Sequence, residues 1–184
     1  YGAIVEYVID SRGGYSDGTL KEEMNSVRQA GQHVIEAVKG VKHLRKNLTK
    51  ALQSENDFVM KEYNRLRRLI IKVLRDVETT RVAERGSASV LPLDKIKLEI
   101  EEKTAEFSHG LDTLIRGNHI DVQTATSLMN DISYCREICW DLVEAGAVLF
   151  SRSDRKDKDA LKSVALDEHE IIAMLETRDG KATP

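Results

Sequence analysis

One stretch of the chain constrains its fold more than any other. Between residues 20 and 52 the apolar side chains recur at alternating steps of four and three, with Gly31 and Arg45 in the gaps. The set is Leu20, Met24, Val27, Val34, Val38, Val41, Leu48 and Leu52. This spacing predicts one helix of roughly 50 Å whose seam packs against neighbouring helices. Because such a helix is unstable alone in water, the rest of the chain must supply helical companions.

The composition also favours helices. Of the 184 residues, 41% are hydrophobic and only 5% aromatic, and there are two prolines, which suits an all-α bundle better than a β-sandwich. The net charge of -3 does not indicate nucleic-acid binding. Cys135 and Cys139 lie four apart in a helical pattern, which suits core residues in a reducing compartment better than a disulfide framework. No run approaches the ~20 apolar residues that cross a bilayer.

Capping and breaking residues predict where the other helices begin and end. Thr19, with Glu22 three positions later, is spaced to cap the long helix. Ser54 is predicted to cap a helix that ends near residue 85, Pro92 to lie in the first turn of the next, and Asp121 or a neighbour to cap a further one. Residues 1–9 and 161–175 carry shorter helical patterns. The chain is therefore predicted to be all-helical.

Each later helix carries one predicted buried stripe. These stripes are Val59, Tyr63, Leu66, Ile70, Val73 and Val77; then Leu93, Ile96, Ile100, Phe107, Leu111 and Leu114; then Leu128, Ile132, Cys135, Cys139, Leu142, Gly146 and Leu149. Apolar residues 27–38 also align with residues 132–143 at one constant offset. This alignment reflects either a duplicated three-helix unit, about 1–86 and 92–179, or the chance match of two heptad patterns. We expect a single domain spanning residues 1–184.

Several polar groups are candidates for chemistry. Glu137 and Asp141 form an E-x-x-x-D pair, which lies on one helix face and can hold a cation or simply face solvent. Glu106 and His109 form a single E-x-x-H, which fits a surface pair better than a di-iron site. No phosphate-binding glycine loop, nucleophile elbow or H-E-x-x-H is present, so we expect no enzymatic activity.

Charge is segregated along the chain. Residues 39–85 carry a positive excess, with the candidate partner contacts Arg65, Arg67, Arg68, Lys72 and Arg75. Residues 94–112 carry six carboxylates against three lysines. The pattern indicates complementary packing between the two regions, or a basic face for an acidic partner or an anionic membrane surface.

Residues 41–81, VKHLRKNLTKALQSENDFVMKEYNRLRRLIIKVLRDVETTR, carry a family resemblance. The matching features are Lys42-His43-Leu44, then Lys46-Asn47-Leu48, then Glu62-Tyr63-Asn64 before an arginine-rich helix. The run resembles the C-terminal cytoplasmic domain of bacterial sodium/phosphate cotransporters, which is similar to the phosphate-uptake regulator PhoU. The resemblance implies an antiparallel bundle of two three-helix units.

The resemblance also implies a function. The chain would be a regulatory or scaffolding domain on the cytoplasmic side of the inner membrane, in contact with the membrane-embedded transporter portion of the same polypeptide. The resemblance leaves undecided whether the chain forms a homodimer, and no nucleic-acid partner is expected. Some family members bind metal through E/D-x-x-x-D motifs; Glu137 and Asp141 match that motif, whereas Gln32 and Glu36 depart from it. We therefore expect no cofactor beyond a weakly bound divalent cation.

Two alternatives remain from the sequence. One is a free-standing PhoU-like regulator of phosphate-uptake signalling, and the other is a helical bundle that binds metal through carboxylates.

Overall fold

The computed structural model describes residues 2, 3, 6, 18–82, 91–150 and 171. For residues 18–20 and 91 it describes the backbone alone. Four long helices run through these residues: α1 (Gly18–Leu52), α2 (Asp57–Val82), α3 (Leu91–Arg116) and α4 (Val122–Phe150). No strand occurs in the described ranges. The helical prediction is confirmed as an all-α four-helix bundle, in which α4 packs against each of the other three helices.

The helix ends follow from local hydrogen bonds. Asn56, not Ser54, caps α2: its Oδ1 accepts hydrogen bonds from the backbone N–H groups of Phe58 at 3.0 Å and Val59 at 3.3 Å. Ser54 Oγ instead accepts a bond from the backbone of Asn56, so the predicted cap was two residues early. Asp121 is confirmed as the cap of α4, since its Oδ1 accepts a 2.7 Å bond from the Thr124 N–H.

Some predicted features lie outside the described residues. They include the Thr19 side chain and almost all of the segments 1–9 and 161–175. Of the last segment only Ile171 is described, as a helical residue with a fully buried side chain. The end of the second predicted helix, near residue 85, also falls in an undescribed range.

The predicted seam of α1 is wrong at its four valines, although Leu48 of the same seam packs partly buried against the core. Val27, Val34, Val38 and Val41 are between 45% and 63% exposed. The buried side chains are instead a second heptad series of mostly small residues, which consists of Ala30, Ala37, Leu44 and Ala51. Gly40 shows the physical reason, because a Cβ there would lie 2.6 Å from Ile138 Cγ1 on α4. The axes of α1 and α4 approach so closely that the interface accepts small residues and excludes a row of valines.

The stripes of the other helices are largely confirmed. All six predicted residues of α3 are buried, as are Val59, Tyr63, Leu66 and Val73 of α2. In α4, Leu128, Ile132, Cys135, Cys139 and Gly146 are buried, whereas Leu149 is 43% exposed and was wrongly assigned to the core. Ile70, Val77 and Leu142 pack partly buried at the edge of the core. Leu69 and Ile138 complete it.

Candidate functional site

A charged cleft of about 290 Å³ lies between α2 and α3. Its walls carry four cationic side chains, two carboxylates and two apolar side chains. They are Arg65, Arg68, Leu69 and Lys72 from α2, and Glu99, Lys103, Glu106 and Phe107 from α3. The formal charge of the lining is therefore +2, four cations less two carboxylates.

Arg65 lies at the centre of contacts that fix one wall. Its guanidinium carbon lies 4.8 Å from the centre of the buried Phe107 ring, which is the geometry of a cation–π contact. Its Nη1 donates to both carboxylate oxygens of Glu62 at 3.0 Å, and its Nη2 lies 3.9 Å from Glu106 across the cleft. Arg65 is thus held in place by one aromatic ring and two carboxylates.

Lys72 joins the two helices about two turns further along α2. Its Nζ donates to Asp76 and, on α3, to Glu99, both at 2.6 Å. These two hydrogen bonds, first that to Asp76 and then that to Glu99, raise the pKa of Lys72, so it stays protonated. On the opposite wall Lys103 donates to Glu106 at 2.7 Å.

Arg68 differs from the other three cations of the cleft. It is exposed, and within the described part of the chain no ion pair or hydrogen bond holds its side chain. An anionic group that enters the cleft would meet Arg68 directly, whereas it would compete with Glu99 and Glu106 for the other three cations. The arrangement can bind an anion, and its described residues include no nucleophile–base pair for catalysis.

The five predicted partner-contact residues are divided by the structure. Arg65, Arg68 and Lys72 line the cleft, while Arg67 and Arg75 are exposed outside it. The sequence did not identify Lys103 or Phe107 as cleft residues. It suggested His109 as the partner of Glu106, whereas Glu106 pairs with Lys103 and lies near Arg65. The segregation of basic and acidic residues along the chain was the signal for these contacts, because it allowed complementary packing of α2 on α3.

The two predicted metal ligands, Glu137 and Asp141, are in different surroundings. Glu137 is exposed, but Asp141 Oδ1 lies 2.9 Å from Nδ1 of His33 on α1. In the described ranges no group of three His, Cys, Asp or Glu side chains is placed to hold a metal ion. Nothing in the sequence pointed to His33, which is 108 residues away from its partner. The cation site therefore stays a prediction.

A buried polar pair links α2 to α4. Tyr63 donates its hydroxyl hydrogen to Asp131 Oδ2 at 2.5 Å, and Asp131 is 1% exposed. Burial raises the pKa of the Asp131 carboxyl, against hydrogen bonds from Tyr63 and Asn47 that lower it. Burial also raises the pKa of Tyr63, which stays a phenol. These groups fix how three helices pack, since Asn47 belongs to α1.

A second charged cluster joins α3 to α4. Lys97, 7% exposed, pairs with Glu144 at 2.7 Å, and Arg136 pairs with Glu101 at 2.8 Å. Both cations lie over the Trp140 ring, at 5.5 Å and 5.3 Å from its centroid. The charges of these two pairs are therefore neutralised by contacts within the bundle.

The two cysteines are buried free thiols. Cys135 Sγ lies 3.5 Å from the carbonyl oxygen of Leu66. A hydrogen bond with Cys135, followed by burial, raises the pKa of the Cys139 thiol, which makes a thiolate nucleophile at this position unfavourable. Both residues act as core side chains, as their spacing predicted.

Comparison with known proteins returned no match: no family model, no curated protein and no solved structure resembles the chain closely enough to be assigned. Among the described helices, none is both long and apolar enough to cross a membrane.

Proposed function

We propose that this chain is a regulatory or scaffolding domain that acts by binding, without catalysis, and that the cleft between α2 and α3 is its contact site for an acidic partner group. The partner is the membrane-embedded portion of a sodium/phosphate cotransporter, with the domain on the cytoplasmic side of the inner membrane. Two kinds of support meet in the same residues: the PhoU-like resemblance covers residues 41–81, and three cleft cations belong to that run.

The observation that carries the proposal is the position of Arg68. It is an exposed guanidinium at a cleft of net positive lining. A carboxylate or phosphate oxygen pair matches the fork of donors that an arginine presents. Arg65 and Lys72 lie on the same helix and strengthen the local positive potential, although their carboxylate partners reduce it.

Regulation requires that the contact differ between transporter states. A domain shifts a conformational equilibrium only by its difference in binding free energy for the two states. We propose that one state of the transporter presents an acidic loop to the cleft and the other withdraws it. In the proposed PhoU-like architecture, with two three-helix units, α1 and α2 belong to the first unit and α3 and α4 to the second, so the cleft lies where the units meet.

Binding to the membrane portion of a sodium/phosphate cotransporter in nanodiscs tests the proposal. The test variant is Arg65→Gln/Arg68→Gln/Lys72→Gln, and the control is Lys61→Gln/Arg67→Gln/Arg75→Gln, which removes the same charge from exposed positions outside the cleft. We expect the cleft variant to bind at least about tenfold more weakly, since charged hydrogen bonds contribute about 1.5–3 kcal/mol each when fully formed.

The control variant should lose about threefold or less, and added salt should weaken parent binding because exposed charges are screened. An equal loss of affinity in both variants would show that binding depends only on general electrostatic attraction. That result would contradict the cleft as the binding site. Absence of parent binding to the nanodiscs would contradict the transporter as partner.

A further inference from the structure

No described part of the chain covers an apolar stripe on α1. Val27, Val34, Val38 and Val41 are 50%, 45%, 63% and 45% exposed. A single exposed valine on a protein surface needs no explanation, but four in one row indicate a contact surface. We call these four residues the valine stripe. It lies roughly 60–100° around the helix from the alanines that pack on α4.

The valine stripe has the spacing of a coiled-coil seam. Its members, with Gly31 among them, fall at steps of four, three, four and three. A straight helix presents such a series along one side, where it fits the side chains of a facing helix. A Cβ on Gly31 would have no atom within 4 Å. The Cα of Gly31 therefore faces open space, which allows a second backbone to come close at this position.

Opposite charges mark the two ends of this face. Glu23 and Arg45 lie eleven residues before and after Val34. Eleven residues are close to three full helical turns, so both side chains lie on the face of Val34. Both are exposed, and neither side chain forms an ion pair with another described residue.

We propose that two copies of this chain pair through the valine stripe, with their α1 helices antiparallel across a two-fold axis near Val34. In this orientation each Glu23 lies beside Arg45 of the partner copy, and the pairing occurs twice. A parallel pair would place Glu23 against Glu23 and Arg45 against Arg45, and like charges in such positions destabilise. Charge complementarity therefore selects both the occupant and its direction.

A lipid surface is the competing occupant, because helices that lie on anionic membranes carry basic residues beside their apolar face and Lys42 and Lys46 of α1 are exposed. The pairing of each Glu23 with Arg45 of the other copy favours a second chain, since Glu23 would be repelled by anionic headgroups. The proposal concerns a face of α1 outside the cleft, so it stands or falls separately from the proposed partner.

Self-association of the full 184-residue chain tests the proposal, measured by sedimentation equilibrium over a wide concentration range. Four valines from each copy form a small interface, so we expect a dissociation constant on the order of micromolar or weaker. Val34→Asp/Val38→Asp should remain monomeric throughout. The control Ile71→Asp/Leu74→Asp changes two α2 residues that are 42% and 47% exposed, and it should dimerise like the parent.

Charge-reversal variants of Glu23 and Arg45 provide a second test of the proposed dimer. Glu23→Arg and Arg45→Glu should each weaken the dimer by about tenfold, since each replaces two exposed attractions by two repulsions. The double variant Glu23→Arg/Arg45→Glu should restore parental affinity, which a general loss of folding cannot do. A dimer insensitive to these changes would overturn the proposal. A monomeric parent would also overturn it, and loss of thermal stability in its valine variant would then identify other parts of the same chain as the cover.

Discussion

At the scale of single residues, Asp131 is the most deeply buried charged side chain among the described residues. It is 1% exposed and accepts the Tyr63 hydroxyl hydrogen at 2.5 Å. A carboxylate in this position loses hydration, which is why burial raises its pKa. The folded protein therefore holds this proton to a higher pH than the unfolded chain does. Stability consequently falls as pH rises above the ordinary range of an aspartate, where the unfolded chain has already released the proton.

We expect Asp131→Asn to remove this pH dependence. Asparagine stays neutral and keeps an oxygen that accepts from Tyr63, so the variant should equal or exceed the parent in stability near pH 7. Urea unfolding between about pH 4 and pH 7 measures the slope. Asp131→Ala is the control, and it should lose about 1–3 kcal/mol because the Tyr63 hydroxyl is left unsatisfied. A parental slope in the asparagine variant would contradict the assignment.

Two adjacent residues test which face of α1 is buried. Ala37 is 4% exposed and Val38 63% exposed. Ala37→Asp should cost several kcal/mol or prevent soluble expression, because it buries an unpaired charge. Val38→Asp, measured in protein dilute enough to be monomeric, should change the free energy of unfolding by within about 0.5 kcal/mol. The seam predicted from sequence requires the reverse order, so the thermal melts of the two variants decide between them.

At the scale of helices, the contact between α1 and α4 depends on small residues. Ala30, Ala37 and Ala51 line the α1 side, and Gly40 faces Ile138, which is itself 1% exposed. Interiors of proteins are packed too tightly to absorb an extra methyl group without movement. The spacing of these two helices is thus set at Gly40.

Substitutions at two glycines of α1 test whether Gly40 sets the distance between α1 and α4. Gly40→Ala should destabilise by about 1–3 kcal/mol, because its new Cβ meets the Ile138 side chain and forces a shift. Gly31→Ala, in open space, should stabilise the helix by about 0.5–1 kcal/mol through reduced backbone freedom in the unfolded chain. Denaturant midpoints of both variants, again in dilute protein, provide the comparison. Equal effects in the two variants would show that α1 and α4 are further apart than described.

At the scale of the whole molecule, ion pairs connect neighbouring helices. Lys72 and Glu99 join α2 to α3, and Lys97 and Glu144 join α3 to α4. The basic and acidic regions of the chain, which are separate in sequence, meet in the folded protein. The net charge of -3 conceals this arrangement.

For metal we expect at most loose divalent binding at Glu137 and Asp141. Two carboxylates one turn apart are few ligands for a hard cation, and Asp141 is already engaged by His33. Elemental analysis of protein purified without chelator, beside Glu137→Gln/Asp141→Asn, measures this. Near-stoichiometric iron, zinc or nickel in the parent and not in the variant would establish a true site. Equal metal in both would locate it elsewhere.

Much of the fold was predictable because α2, α3 and α4 each carry most of their large apolar residues on one face, although α2 also exposes Ile71 and Leu74. The stripe of Ile100, Phe107 and Leu111 is an example, and all three residues are buried. The Asp121 cap was predictable because its hydrogen bond is local. The cleft was predictable only on its α2 wall, since which helix lies opposite depends on contacts between distant residues.

The sequence by itself determined that the chain is helical, where most helices end, and which faces of three of them are buried. Only the tertiary structure decided which of two heptad series of α1 enters the core. The series of Val27, Val34 and Val38 is more hydrophobic, whereas that of Ala30 and Ala37 is smaller. Hydrophobicity alone favours the valines, but the close approach of α1 to α4 at Gly40 favours small side chains. That distance is a property of two packed helices, and neither helix encodes it alone.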